Sequence, residues 1–307
     1  MIAKAFEKLK TNLELKPTFD GLIQQKHKAV RDAVEKAIPG SKTKLIGSVG
    51  RKTRIHPREE DAFDIDILVE MGSFHQWISS GGITPDFAGT QLKNAVTENE
   101  RYKSMDPEVD HPVVLFEYAD GVKVELVPAY RDMIGVSPEG LRHGAVGRGY
   151  WIPKNGKWEL VDYDLETDYI SSQNSTADGY LIPTVKMLKA MKREFFPDMS
   201  SFYLEVLAAL VIPHVIKTAK ANYVPITYHY LVREFISIAP NLFGISIGVP
   251  GSNSKEMILS SQEQAAYKRT YSTIREYLEL HDNSEASEQL KAWKKILGNP
   301  FPLNPYE

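Results

Sequence analysis

The sequence predicts an α+β fold: a mixed-sheet domain with N-terminal helices over 1–165, then a helical domain over 166–307. Two observations predict it. Runs that alternate apolar and polar residues, FDIDILVEM, VVLFEYA and VKVELVPA, fall in the first half, and a period of two marks half-buried strands. After about residue 163 helical spacing dominates. Mixed elements followed by a run of helices give the α+β pattern.

In chain order, residues 2 to about 15 and 18 to about 38 place Ala, Leu, Lys and Glu at helical spacing, and Pro39-Gly40 closes the second helix. A short strand over Lys42–Ile46 leads to Gly47-Ser48, a charged loop RKTRIHPREED, and the strand FDIDILVEM. A helix follows from about Pro85 to Glu100. VVLFEYA and VKVELVPA are joined by Asp120-Gly121, a strong short-range hairpin signal. Residues 129 to 160 read as irregular, with a small hairpin at Asn155-Gly156. Helices are expected over Gly179–Phe195, Ser201–Ala219 and Ile226–Ile238, with two more between Ser260 and Ile296, and APNLFGISIGVPGSNS as a loop.

Composition narrows the function classes. With 307 residues, 42% hydrophobic and 25% charged, the chain has an ordinary globular make-up. A net charge of −3 argues against a broad basic surface for nucleic acid. The absence of cysteine excludes a disulfide scaffold, a thiolate zinc site and a cysteine nucleophile. The eight histidines show no paired metal-ligand spacing. MIAKAFEKLKTNLELK lacks the apolar core of a signal peptide, and VLAALVIPHVI is too short to span a bilayer, so a cytoplasmic protein with no membrane partner is expected.

The chemistry concentrates on carboxylates. Asp64 and Asp66 lie two apart on a strand, so both point to one face with Cα atoms roughly 7 Å apart, while Phe63, Ile65, Ile67 and Val69 point the other way. Like charges held close repel, so a cation should sit between them. Magnesium takes oxygen ligands, keeps waters and binds one or two carboxylates plus substrate phosphates. Glu125 falls on the face of its strand with Lys123 and Val127. It completes a triad if that strand lies beside FDIDI. Two ions roughly 4 Å apart would then serve in-line phosphoryl transfer. A solvated strand face is the alternative for an isolated Asp-x-Asp. Glu60 and Asp61 in the insert HPREED are decoys, because Asp64 sits inside the alternating strand.

Gly47-Ser48 precedes the acidic strand. Glycine admits close backbone approach, and the N–H groups of a helical turn starting there, with the Ser48 hydroxyl, suit triphosphate oxygens. Arg51 and Thr53 follow within reach of phosphate. Taken alone, Gly-Ser is a turn. Farther on, Lys186, Lys189, Lys192 and Arg193 place positive charge on part of one helix. Alone, that run reads as a solvated face, and Phe202 and Tyr203 read as core.

In this order, GSVGRKT, FDIDILV and VKVELVPA resemble the DNA polymerase β-like nucleotidyltransferase superfamily, and more specifically the bacterial cGAS/DncV-like nucleotidyltransferases (CD-NTases). VKMLKAMKREFFPDMSSFYLEVL resembles the family's helix with a phosphate-binding lysine, followed by a serine and an aromatic. The resemblance covers about residues 40 to 210. It implies a palm sheet with a helical lobe completing an NTP-binding cleft. It also implies Asp64, Asp66 and Glu125 as catalytic metal ligands for two magnesium ions, with manganese as an alternative. Gly47, Ser48, Arg51, Thr53, Lys189 and Ser201 would bind triphosphate, and Phe202 or Tyr203 would stack on a base. Glu125 stands where the family more often has Asp.

The activity implied is synthesis of a cyclic di- or trinucleotide second messenger from NTPs in anti-phage (CBASS) signalling, with an operon-encoded effector reached through the product. No DNA activator is expected, because the cysteine-containing zinc module of the animal relative is absent. Two alternatives stand: single-nucleotide transfer to tRNA, a protein or a small molecule, and a non-catalytic nucleotide-binding relative.

Overall fold

The computed structural model describes residues 1–58, 61, 63–73, 84–110, 113–132, 149–248, 250 and 256–306. Its contacts divide the chain into two compact units: 16–50 with 57–166, and 1–15 with 51–56 and 167–307.

The first unit is built on a mixed seven-stranded sheet. Its elements are α2 (Pro17–Ala37), β1 (Lys42–Leu45), the single turn α3 (Gly47–Gly50), β2 (Phe63–Ser73), α4 (Pro85–Thr97), the short α5 (Glu100–Lys103), β3 (Glu108–Asp110), β4 (Val113–Glu117), β5 (Val122–Arg131), β6 (Tyr150–Lys154) and β7 (Lys157–Val161). The strand order is β1-β2-β5-β4-β3, and β6 joins the end of β5 and pairs with β7. β2 and β5 run parallel, and every other pair is antiparallel.

Burial explains the order. Ile65, Ile67, Val124 and Leu126 are fully buried at the centre of the parallel pair, each stabilising by about 1.5–3 kcal/mol. Helix α4 starts where the Thr84 hydroxyl accepts from Phe87 N and Pro85 occupies the first turn. It buries Leu92 and Val96. On α2, Ile23, Val30 and Val34 form the buried stripe. The two expected hairpin turns are present. Gly121 takes φ +77°, while Asn155 and Gly156 take +52° and +70°, the left-handed pair that a tight two-residue hairpin requires.

One expectation in this unit changes. The stretch 129–160, expected irregular, begins with the end of β5 and closes with the β6–β7 hairpin, because Tyr130 and Trp151 pair across strands and bury with Ala88. Residues 133–148 between them lie outside the described residues. Strand β3 was too short to show a period. Glu60 also lies outside the described residues.

The second unit is helical. It contains α1 (Ile2–Leu13), residues 51–56, most of α6 (Tyr163–Thr176), α7 (Leu181–Phe195), α8 (Ser201–Ala221), α9 (Tyr228–Ile238), a 3-10 turn (Ala239–Leu242), the two-residue strands β8 (Ile247–Gly248) and β9 (Glu256–Met257), α10 (Ser261–His281) and α11 (Ala286–Leu297). Helix α1 thus belongs with the helices rather than with the palm domain expected over 1–165. Phe6 is the reason: it is fully buried, edge-on to Trp293 at 4.9 Å and to Phe301 at 5.3 Å. His229 lies 5.4 Å from Phe6 and is lowered to about 4 by burial, so it packs as a neutral ring.

Helix α6 escaped the periodicity reading because YDLETDYISSQNST has no apolar stripe. The expected loop APNLFGISIGVPGSNS contains the 3-10 turn and β8, which pairs with β9 just beyond it; residues 249 and 251–255 lie outside the described residues. VLAALVIPHVI, expected to be too short for a bilayer, sits in a helix of 21 residues that is long and apolar enough to cross one. Its most apolar stretch is 67% buried within the protein, as a core helix requires.

Phe6→Ala should destabilise the protein by about 3–5 kcal/mol in chemical unfolding. A loss below about 1 kcal/mol would show that α1 is only loosely attached to the helical unit.

Candidate active site

The parallel register places the acids. Asp64 pairs with Lys123 and Asp66 with Glu125, so the side chains of neighbouring strands share one face about 4.8 Å apart. Asp64, Asp66, Lys123 and Glu125 are all half-buried there, while Ile65, Ile67, Val124 and Leu126 face a dry core. Farther along the acidic face, Leu68, Val127 and Ala129 join an apolar cluster with Ile46, Tyr150 and Ile152. The acids therefore border an apolar patch.

That border shows in the chemistry of Glu125. Burial pushes its carboxyl above the ordinary value first, and the negative charges of Asp66, Asp64 and Asp110 push it further, against the opposing pull of Lys123. Asp110, at the end of β3, is an acid that sequence reading missed, because three residues give no pattern. Four carboxylates thus act around one ammonium. Such a face calls for added positive charge, and its all-oxygen donors suit a hard divalent cation. Among the described residues, no three His, Asp or Glu side chains are already gathered into a metal-holding group. The backbone brings the acids to adjacent ladder positions, and a cation would have to draw their oxygens together.

The Gly47 turn meets the same face. After β1 pairs with β2, Ile46 N donates to Asp66 O at 3.0 Å and the chain turns through Gly47–Gly50. Gly47 adopts φ +62°, and a Cβ there would fall on the Asp66 carboxylate, 2.9 Å from its carboxyl carbon. Gly50 is constrained by contact alone, since a Cβ would lie 2.8 Å from Leu45 O. Glycine at 47 is thus needed twice, for its backbone angle and for the Asp66 side chain lying against it. Ser48 is half-buried on this turn. The structure therefore brings Gly47, Ser48, Asp64, Asp66 and Glu125 to one region of the sheet unit.

The remaining expected residues lie in the helical unit and form a different arrangement. Lys189 is 5% exposed, and its ammonium donates to Thr53 O at 3.1 Å and Thr53 Oγ1 at 3.2 Å, with Glu205 Oε1 at 2.6 Å. Arg51 Nε donates to Glu205 Oε2 at 2.8 Å, and its guanidinium lies 4.5 Å from the Phe202 ring centre. Expected on triphosphate, Arg51 and Lys189 are here partners of one fully buried carboxylate, and Thr53 is a partner of Lys189. Burial alone would raise Glu205, but Lys189 and Arg51 outweigh it and hold the carboxyl below its ordinary value.

Ser201 is exposed at the start of α8, where Ser200 supplies the cap by accepting from Tyr203 N. Tyr203, expected as a base platform, is 3% exposed and belongs to the helical core. Half-buried Phe202 instead carries Arg51 on its face. Glu205 was missed by sequence reading. The signal was available: it is a single acid opening the apolar run of α8.

Residues 1–139 match the family model of the Second Messenger Oligonucleotide or Dinucleotide Synthetase domain (SMODS). The chain is 24% identical over 302 residues to a cyclic AMP-AMP-AMP synthase from Acinetobacter sp. (strain ATCC 27244 / 9458), covering 90% of this chain and 78% of that protein. Among solved structures, E. coli MS115-1 CdnC with ATP superposes at a TM-score of 0.71 with 14% identity, covering 97% of this chain and 98% of the other. Bradyrhizobium diazoefficiens CdnG in complex with GTP gives 0.68 with 13% identity over 95% and 96%.

Two substitutions probe this geometry. Gly47→Ala should cost about 1–3 kcal/mol in urea unfolding, and a cost under about 0.5 kcal/mol would show that the turn tolerates a side chain. For Glu125, a raised folded-state value means that the benefit of the protonated form is complete below the ordinary glutamate value and is lost as pH rises through the raised one. Metal-free Glu125→Gln should therefore melt above the wild type at neutral pH. The difference should vanish near the ordinary glutamate value of about 4.3. An equal or lower melting temperature at neutral pH would contradict the crowding of acids.

Proposed function

We propose that this chain, a member of the bacterial cGAS/DncV-like nucleotidyltransferases, makes a cyclic oligonucleotide from nucleoside triphosphates on the Asp64–Asp66–Glu125 face. The observation that carries the proposal is the parallel register that sets Glu125 beside Asp66, with Asp64 two residues away on the same face. Separate strands, far apart in sequence, supply one acidic surface next to a turn whose glycine is required.

The residues present fit divalent metal. Oxygen donors come together by strand register, and Glu125 is raised by burial and then by its neighbours' negative charge, so added positive charge would favour its ionised form. Asp64, Asp66 and Glu125 would hold magnesium. Magnesium, when bound, would favour the ionised attacking hydroxyl and neutralise charge on the departing pyrophosphate.

The reaction is a substitution at phosphorus. A ribose hydroxyl oxygen of one NTP attacks the α-phosphorus of a second. The new O–P bond forms as the bond from that phosphorus to the bridging oxygen of the β-phosphate breaks, and pyrophosphate departs. The hydroxyl proton leaves toward the carboxylate face and solvent. Repeated within the linear product, the same step closes the ring and releases another pyrophosphate. Ser48 and the N–H groups of the Gly47 turn are suited to phosphate oxygens.

The relatives support a reading of the product class. The Acinetobacter protein is named for a cyclic AMP-AMP-AMP product, and the two solved structures hold ATP and GTP. A cyclic trinucleotide containing adenosine is therefore the product to seek first. The setting we propose is cytoplasmic anti-phage (CBASS) signalling, with the product acting on an effector encoded nearby.

Purified protein given magnesium and all four labelled NTPs, with no nucleic acid added, should yield a phosphatase-resistant cyclic product by mass spectrometry. Asp64→Asn with Asp66→Asn should abolish it while leaving the melting profile folded. A single labelled adduct on an added acceptor, with no cyclic product, would favour single-nucleotide transfer. Full activity in the double variant would sink the assignment of the acids.

A further inference from the structure

Glu205 has no place in the chemistry just described, yet it is the most completely enclosed charge in the helical unit. It is 0% exposed, on a helix whose neighbouring positions Val206, Leu207, Ala208 and Ala209 are all buried. A carboxylate is costly in such surroundings unless it is paired and hydrogen-bonded. Here both oxygens are used: Oε2 accepts from Arg51 Nε at 2.8 Å, and Oε1 lies 2.6 Å from Lys189 Nζ. Lys189 in turn bonds the carbonyl and hydroxyl of Thr53, which is fully buried.

The pairing has a direction along the chain. Arg51 follows directly on Gly50, the last residue of the turn that carries Ser48. The segment 51–56 makes no regular secondary structure. Its anchors include four to helices: Arg51 to α8, Thr53 to α7, the His56 carbonyl to Arg193 of α7, and His56 N to Leu13 O of α1. A stretch without a ladder of its own is held by side chains, and Glu205 is the group shared by two of them.

We infer that Glu205 is a positioning residue: through Arg51 and the Lys189–Thr53 bonds it fixes residues 51–56, the segment that follows the Gly47–Gly50 turn in sequence. The inference rests on the synthase reading for its consequence in catalysis and on geometry alone for the anchoring. The carboxylate touches no reacting group. It holds the cations in register, and a side chain one methylene shorter spans both less well.

The test uses the full chain with Glu205→Gln, which keeps shape and removes charge, and Glu205→Asp, which keeps charge and shortens reach. Hydrogen exchange of the peptide spanning residues 51–56 should speed up by about tenfold or more in Glu205→Gln. KM for NTP should rise by about tenfold or more with kcat changing less, and Glu205→Asp should recover part of both. If Glu205→Gln does not fold, Glu205→Asp carries the same two readings, each expected to shift in the same direction.

Unchanged exchange over 51–56, with kcat/KM within about twofold of wild type, would overturn the inference and leave the synthase reading standing. Faster exchange in a protein whose wild type makes no product would do the reverse, retaining the anchoring and removing the synthase reading.

Discussion

The pairing of β2 with β5 is the constraint on which the site depends. Side chains alternate along a strand, so a slip of one residue would send every acid to the opposite face. The register is held from behind: Ile65, Ile67, Val124 and Leu126 are fully buried on the reverse side of the residues that carry Asp64, Asp66 and Glu125. The apolar half of each strand thus specifies where the charged half sits. Burial next to Leu68, Val127 and Ala129 then makes the acidic face uncomfortable without a cation.

A second constraint is local. Gly47 cannot be replaced without meeting Asp66, and its positive φ turns the chain away from β1 at the point where Ile46 N has just bonded the Asp66 carbonyl. The turn and the acid are consequently one construction. The helical unit solves another problem with equal economy. An irregular segment of six residues, 51–56, is held by a buried carboxylate with two cations, a pairing whose removal by halves leaves an uncompensated charge.

Much of this was legible in the sequence. The alternation in FDIDILVEM and VKVELVPA gave the strands and the shared face of Asp64 and Asp66. Whether the two strands were neighbours was not legible, because sheet order is set by tertiary packing. Helix α6 was hidden because its polar sequence lacks a stripe, and β3 because it is three residues long. The phosphate-binding residues inferred for the helical unit show the limit most clearly. Lys189 and Tyr203 occupy helical positions that a pattern can find. Their burial, and the partner Glu205 that claims Lys189, emerge only when helices α7 and α8 pack. A single acid within an apolar helix was the available clue.

The central claim is that the Asp64–Asp66–Glu125 face holds divalent metal beside a triphosphate. The most direct measurement is an anomalous difference map from crystals grown with manganese and a non-hydrolysable NTP. The account predicts anomalous peaks within ligand distance of carboxylate oxygens from both strands, Asp64 or Asp66 on one and Glu125 on the other, with the triphosphate against the Gly47 turn. A bound triphosphate with no metal on that face, or metal held elsewhere, would contradict it.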